Sequence, residues 1–305
     1  MKFQNMEFGL DKVNSQDYFV CAFGYEERSF FLYDQFEKIL PQDNILVFFF
    51  EDYKNYPYVT ERREQLQGKV ECQIVCYSGE IIDKIEDYLE KRNCSNNVTI
   101  HVDYSSMPRK WYCGLVTQIQ EKFSENKICF WYAEGEYPVD YCAYPSAGID
   151  SYDIIGRPSL RIESKRLHVI GLSYDATRTK ALISILDPNA YFSCQGYNPN
   201  AEKINKNVRE LNEDVISQGV GAITVRIDDF SLMVAKLCEI AYEYYSFGDV
   251  VFVPDGPKPL ILAMALVPRI VKKAGVTCLL VSRNDQCYEP VVVKATGSVF
   301  GFQIL

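Results

Sequence analysis

Two stretches of this chain carry the same punctuation, and it restricts the fold more than any other feature. Asp249 to Leu266 reads DVVFVPDGPKPLILAMAL. Val250, Val251, Phe252 and Val253 form a short β-branched and aromatic run, the pattern of a buried strand. The run breaks at Pro254-Asp255-Gly256, and Pro257 suits the first turn of a following helix. Val98 to Lys110, VTIHVDYSSMPRK, repeats the plan: a strand ending at Asp103, a turn through Ser105 and Ser106, then Met107-Pro108-Arg109 opening the helix WYCGLVTQIQEKF. A strand, a tight turn and a helix N-terminus make an anion-binding place, because the unpaired N–H groups of the first helical turn point outward. Lys258 and Arg109 lie in those first turns, where the helix dipole prefers Asp or Glu. A bound anion would reconcile the cations with the dipole.

The echo extends along the chain. YFVCAFG (18–24) is a strand, the turn Gly24-Tyr25-Glu26-Glu27-Arg28-Ser29 leads into a helix, SFFLYDQFEKIL, and NILVFFFE is a run suited to a strand buried on both faces. VECQIVCYS, the amphipathic EIIDKIEDYLEKR, the Asp103 strand with its helix, and KICFWYA follow. The second half restarts with RLHVIGLS and the turn Ser173-Tyr174-Asp175-Ala176-Thr177-Arg178-Thr179. After it come NAYFSCQG, the helix NAEKINKNVRELNEDVIS, GAITVRID, DFSLMVAKLCEIAYEYYS, the Lys258 stretch and VTCLLVSRN. Arg28 and Arg178 are 178 − 28 = 150 positions apart. Strands alternating with helices specify parallel sheets covered by helices on both faces. The expected fold is therefore α/β: two tandem Rossmann-like, three-layer, parallel-sheet units related by internal duplication. The expected boundaries are residues 1–134 for the N-terminal domain and 166–305 for the C-terminal domain. The Gly-, Pro-, Ser- and Tyr-rich residues 135–165 form the connection, and the tail VVVKATGSVFGFQIL closes the second half as a hairpin.

Composition narrows the function. A chain of 305 residues with 48% hydrophobic content can bury two cores. A net charge of −9 argues against general affinity for nucleic-acid backbone. No apolar run approaches a membrane span, and the N-terminus has no secretory h-region, so a cytoplasmic location is expected. Most of the eleven cysteines sit in apolar runs, among them Cys21, Cys72, Cys76, Cys129, Cys194, Cys238 and Cys278, as free thiols of a reducing compartment do. There is no C-x-x-C, and the only histidines, His101 and His168, fall inside strands, so no metal and no cofactor are expected.

In open parallel sheets ligands bind outside the carboxyl ends of the strands. One candidate pocket gathers Gly24, Tyr25, Glu26, Arg28, Ser29, Asp103, Ser105, Ser106 and Arg109. The other gathers Tyr174, Asp175, Arg178, Thr179, Asp255, Gly256 and Lys258, with Arg178 and Lys258 converging on one anion. Each set offers an aromatic face, two cations, hydroxyls and a carboxylate, an inventory that suits a nucleotide. The plainer alternative is that these charges tie helix starts to strands and that Asp and Ser are ordinary N-caps. No nucleophile–base pair stands out; Glu26 and Asp103 are the candidate acid–base pair of an enzyme acting on a nucleotide or nucleoside. Gly-x-Gly-x-x-Gly and Walker A motifs are absent. A third reading is an assembly subunit with vestigial pockets.

The strand, Pro254-Asp255-Gly256-Pro257-Lys258, helix arrangement resembles the Gly-Gly-Thr-Lys turn of CRISPR-associated Rossmann-fold (CARF) domains, and the first-strand turns occupy the place of that family's first ligand loop. A fused pair of such units resembles the SAVED sensors of bacterial antiphage systems. This chain has Asp-Gly-Pro-Lys where the family usually has two glycines, and Ser-Ser-Met-Pro-Arg in the first half. The resemblance implies a bacterial defence or signalling component that binds a cyclic or linear oligonucleotide signal. No nuclease or other effector motif is attached, so any output needs an effector protein as partner; a homodimer is a further expected partner state, and no membrane or long nucleic acid is expected.

Overall fold

The continuous apolar runs become the central strands of two sheets. The computed structural model describes residues 2–51, 56–76, 81–92, 97–136, 149–159, 163–283 and 293–305, which form an α/β protein of two units. The first unit comprises Met1–Tyr137 with Pro290–Leu305, the second Pro138–Glu289.

In the first unit the strands are β1 (Phe3–Glu7), β2 (Tyr18–Phe23), β3 (Ile45–Phe50), β4 (Glu71–Val75), β5 (Thr99–Asp103) and β6 (Lys127–Glu136). Every residue of β2 and β3 is buried, as the two-faced apolar pattern of YFVCAF and ILVFFF requires. Strands β4, β3, β2, β5 and β6 are neighbours in that order and run parallel. Helices α1 (Tyr33–Phe36), α2 (Pro57–Leu66), α3 (Ile82–Lys91) and α4 (Arg109–Lys122) connect them. On one face Phe19 stacks on Phe36 at 4.2 Å, and Leu32, Tyr33 and Phe36 enter the core. The helix expected over residues 29–40 is much shorter. Its start is a 3-10 turn, Glu27–Phe30, whose Arg28 N–H, without an acceptor inside the turn, donates to the Val293 carbonyl at 3.0 Å.

The second unit holds β7 (Ile149–Gly156), β8 (Arg166–Gly171), α5 (Ala176–Leu186), β9 (Ala190–Tyr197), α6 (Glu202–Leu211), α7 (Glu213–Gln218), β10 (Gly221–Arg226), α8 (Phe230–Tyr244), β11 (Asp249–Val253), α9 (Lys258–Val271) and β12 (Val276–Arg283). Here β10, β9, β8, β11 and β12 are neighbours in that order and run parallel. Leu260 to Pro268 of α9 are all buried, as its almost uncharged sequence demands. The single helix expected over residues 200–217 is divided at Asn212, whose side-chain amide donates to the carbonyls of Ser173 and Val208, both at 2.8 Å.

Both sheets are mixed, which corrects the expectation of purely parallel sheets. Strand β7, from the stretch expected to connect the halves, pairs antiparallel with β12 as an edge. The tail forms β13 (Lys294–Ile304), which joins the first sheet instead of closing the second: it runs antiparallel to β6, and β1 pairs antiparallel with it. Aromatic pairing explains the choice. Phe302 stacks on Phe130 at 5.2 Å and Phe300 on Tyr132 at 6.3 Å, contacts of the kind that fix strand pairing. The C-terminal domain boundary expected at 305 therefore falls at Glu289. The connection expected over residues 135–165 lies partly outside the described residues, at 137–148 and 160–162.

Among the described residues no helix is long and apolar enough to cross a membrane, and no group of three or more His, Cys, Asp or Glu could hold a metal ion. His101 and His168 are both buried within strands.

Candidate functional site

In each unit the first and fourth parallel strands are adjacent, and the chain leaves them toward opposite sides of the sheet. Such a reversal opens a crevice at the carboxyl ends of the strands. In the first unit these strands are β2 and β5. The loops that follow them meet: a Cβ placed at Gly24 would lie 3.9 Å from the Ser106 Cβ and 3.3 Å from the Phe50 ring. In the second unit the strands are β8 and β11, and the approach is closer still. A Cβ at Gly171 would stand 2.3 Å from the Asp255 carbonyl oxygen. Gly256, at φ +88°, packs where a Cβ would come within 2.4 Å of the Leu172 carbonyl oxygen. Only glycine fits both the left-handed conformation and the space there.

Arg28 is buried and serves its own unit. Its Nε donates to Glu26, its Nη1 to the Tyr132 hydroxyl at 3.1 Å and the Ala133 carbonyl at 3.5 Å, and its guanidinium lies 5.4 Å over the Tyr132 ring. Asp103, also buried, accepts from the backbone N–H of Ser105 and from its hydroxyl; the Ser105 oxygen in turn accepts the Ala133 N–H at 2.7 Å. Glu26 and Asp103, the candidate acid and base, are thus each engaged with a neighbour in their own loop. Tyr25 is partly exposed, its ring 6.4 Å from that of Tyr56. Arg109 opens α4 after the cap residue Pro108 and is half-buried. Burial pushes the Cys113 thiol up, and the Arg109 guanidinium one turn earlier pulls it partly back. The Ser29 and Ser106 hydroxyl oxygens and the Trp111 indole N–H are enclosed and have no hydrogen-bond partner among the described residues.

Arg178 is equally buried. Its Nε donates to Asp255 at 3.1 Å and its Nη2 to the Val281 carbonyl at 3.3 Å. Asp255, fully enclosed, also accepts from the Ser173 hydroxyl at 3.1 Å. Asp175 is the N-cap of α5: its side chain takes the Arg178 N–H at 2.9 Å, while the Thr179 hydroxyl donates to its carbonyl at 3.2 Å. Tyr174 packs with Leu172, Val208 and Val215. Lys258 opens α9 after Pro257 and is half-buried. The expectation that Arg178 shares an anion with Lys258 is therefore modified: its anion is the internal carboxylate of Asp255.

The two buried arginines can be compared by matching the ends of the fourth strands, Asp103 and Val253. Asp103 pairs with Trp131, and Ala133 lies two residues on; Phe252 pairs with Cys278, so Val253 stands by Leu279, and Val281 lies two residues on. Ala133 and Val281 are the carbonyls that Arg28 and Arg178 reach. Ser105 and Asp255 then hold one place; the helix starts Pro108-Arg109 and Pro257-Lys258 match one residue out of that register, with Met107 before the first and Gly256 before the second. Ser173, Asn212 and Tyr132 complete these networks. Sequence reasoning missed them, since their partners are backbone carbonyls and side chains distant along the chain.

No protein-family model matches this chain, and no curated protein matches it. Among solved structures, the cytoplasmic domain of a prokaryotic cation chloride cotransporter is similar at a TM-score of 0.25 and 9% identity, over 87% of this chain and 95% of that one. A likeness at that score carries no argument about function.

Proposed function

We propose that this protein binds a nucleotide-type anionic ligand at the carboxyl ends of its parallel strands, and that its two halves descend from one duplicated Rossmann-like α/β unit. The observation that carries the ligand reading is the paired helix start: Pro108-Arg109 on α4 and Pro257-Lys258 on α9, each where the loops after the first and fourth parallel strands meet. Helix N-termini favour anions, and a cation on the first turn strengthens the preference for phosphate. Duplication is supported by the shared order of five parallel strands and by the matching reach of Arg28 and Arg178. The resemblance of the turns to CARF and SAVED proteins extends the reading to a cyclic or linear oligonucleotide signal, sensed by a subunit of a bacterial defence or signalling system with a separate effector. Calorimetric titration with AMP, ATP and cyclic di-AMP, followed by chromatography of the mixture, tests it. Saturable binding with the nucleotide recovered unchanged is expected. Release of a product would make the protein an enzyme, and no heat with any of the three would remove the ligand reading.

A further inference from the structure

We propose that the amino end of the second unit's sheet is a docking surface for an acidic segment of a partner protein, received by Arg157, Lys165, Arg166, Lys272 and Lys273. This goes beyond the proposed nucleotide site, which lies at the opposite, carboxyl ends of the strands.

Backbone hydrogen bonds bring the five to one end. The Asp249 N–H donates to the Lys165 carbonyl at 2.7 Å, the Val250 N–H to the Gly275 carbonyl at 2.9 Å, and the Gly275 N–H to the Arg157 carbonyl at 2.9 Å. The starts of β8, β11 and β12 and the end of β7 thus form one row, three strand spacings or about 14 Å long. Arg166 follows Lys165 and stands opposite Asp249 in register; Lys272 and Lys273 follow the end of α9 just before Gly275. All five are exposed, in a chain whose net charge is −9. Four carboxylates share this end, Glu163, Asp187, Glu243 and Asp249, and none lies within 4.0 Å of the five cations. Elsewhere in the unit Lys180, Lys206, Arg226 and Lys236 each hold a carboxylate. A helix C-terminus attracts cations, which accounts for Lys272 and Lys273. Arg157, Lys165 and Arg166 lie outside any helix and need another account. Arg166 also lowers the pKa of His168, after the larger effect of burial, as a charge without a counterion does.

The row fits a short acidic peptide. An extended chain repeats its side chains on one face about every 7 Å, so three carboxylates span about 14 Å. The guanidinium forks of Arg157 and Arg166 suit carboxylates. The Lys165 Nζ lies 5.6 Å over the Phe247 ring and the Lys273 Nζ 5.0 Å over the Tyr245 ring. Those contacts steady the ammonium groups and occupy ring faces on which the bases of a nucleic acid would stack. A long phosphate backbone would also run past the row onto an acidic protein, whereas a short acidic segment ends with it.

The test is fluorescence anisotropy of a fluorescein-labelled oligo-glutamate peptide titrated with the full chain at low salt. Saturable binding is expected. Lys165→Glu/Arg166→Glu and Lys272→Glu/Lys273→Glu should each weaken it about tenfold, since each reverses two exposed charges. Lys203→Glu/Arg209→Glu, on the exposed face of α6, should bind as the unaltered protein does. Absence of peptide binding, or equal weakening by the α6 variant, would overturn the assignment. Tighter binding of a single-stranded oligonucleotide or of phosphatidylserine vesicles than of the peptide, lost in the same two variants, would overturn it in favour of those partners. Salt supplies a readout that needs no variant: physiological ionic strength should weaken peptide binding, and binding indifferent to salt would contradict a surface of exposed charges.

Discussion

Arg178→Met should strongly destabilise the second unit. Arg178 and Asp255 are 3% and 1% exposed, and their ion pair spans 3.1 Å. Without the guanidinium, Asp255 keeps only the Ser173 hydroxyl among these partners, and the Val281 carbonyl loses a donor. Removing one member of a buried pair costs about 3–5 kcal/mol, because the remaining charge stays in a low-dielectric interior. Replacing both members by apolar groups of similar shape is often close to neutral, so the double variant Arg178→Met/Asp255→Leu should recover much of the loss. Urea unfolding followed by far-UV circular dichroism measures Arg178→Met, Asp255→Leu, the double variant and their coupling. A single-variant loss below about 1 kcal/mol, the value of an exposed pair, would refute the reasoning. The guanidinium would then not be locked to Asp255 and would be open to a ligand.

Other perturbations test other parts of the structure. Gly256→Ala places a methyl group 2.4 Å from the Leu172 carbonyl at φ +88° and should cost at least about 1 kcal/mol in urea unfolding, whereas Gly68→Ala, also at positive φ but with nothing within 4 Å, should cost less. Stability should fall in two steps on acidification. Burial, with a smaller contribution from Arg166, lowers the His168 pKa from 6.5 to about 4; the unfolded chain therefore binds a proton that the fold refuses, and about 3 kcal/mol is lost as pH falls from 6.5 to 4. Asp17 is pushed up by burial, but the His101 imidazole 3.5 Å away and the N–H groups of Asn14 and Thr99, which donate to it at 2.8 and 2.9 Å, outweigh this and hold it below 3.8, so its contribution is lost only below about pH 4. His168→Phe should flatten the first step and Asp17→Asn the second, and an unchanged slope in either would remove the assignment. Among the described thiols, exposed Cys76 should be alkylated first and the fully buried Cys21, Cys113 and Cys194, all pushed up by burial, among the last; peptide-resolved mass spectrometry would show the order, and equal rates would contradict it.

How much of this was legible in the sequence follows from which interactions are local. The alternation of strand and helix, the breaks at Pro108 and Pro257, and the Asp175 cap depend on neighbours within a turn and are visible in the chain. The arginines were visible as charges near helix starts, but their partners were not. Val281 lies 103 residues from Arg178 and Ala133 105 from Arg28, and a backbone carbonyl leaves no mark on residue type. Sheet edges were misjudged for the same reason. A β-rich tail can add to any open strand, and only the aromatic contacts of Phe300 and Phe302 with Tyr132 and Phe130 select β6. Asn212 looked like an interior residue of one helix, whereas its amide is bonded to the turn after β8.

The central claim, that this fold binds a nucleotide-type anion at the carboxyl ends of its parallel strands, meets its most direct test in a native mass spectrum of the unaltered protein mixed with AMP, ATP or cyclic di-AMP. The prediction is an added mass equal to intact nucleotide, reduced about tenfold in occupancy at low concentration by the double variant Arg109→Ala/Lys258→Ala. A spectrum showing only the bare chain with every nucleotide at millimolar concentration would contradict it.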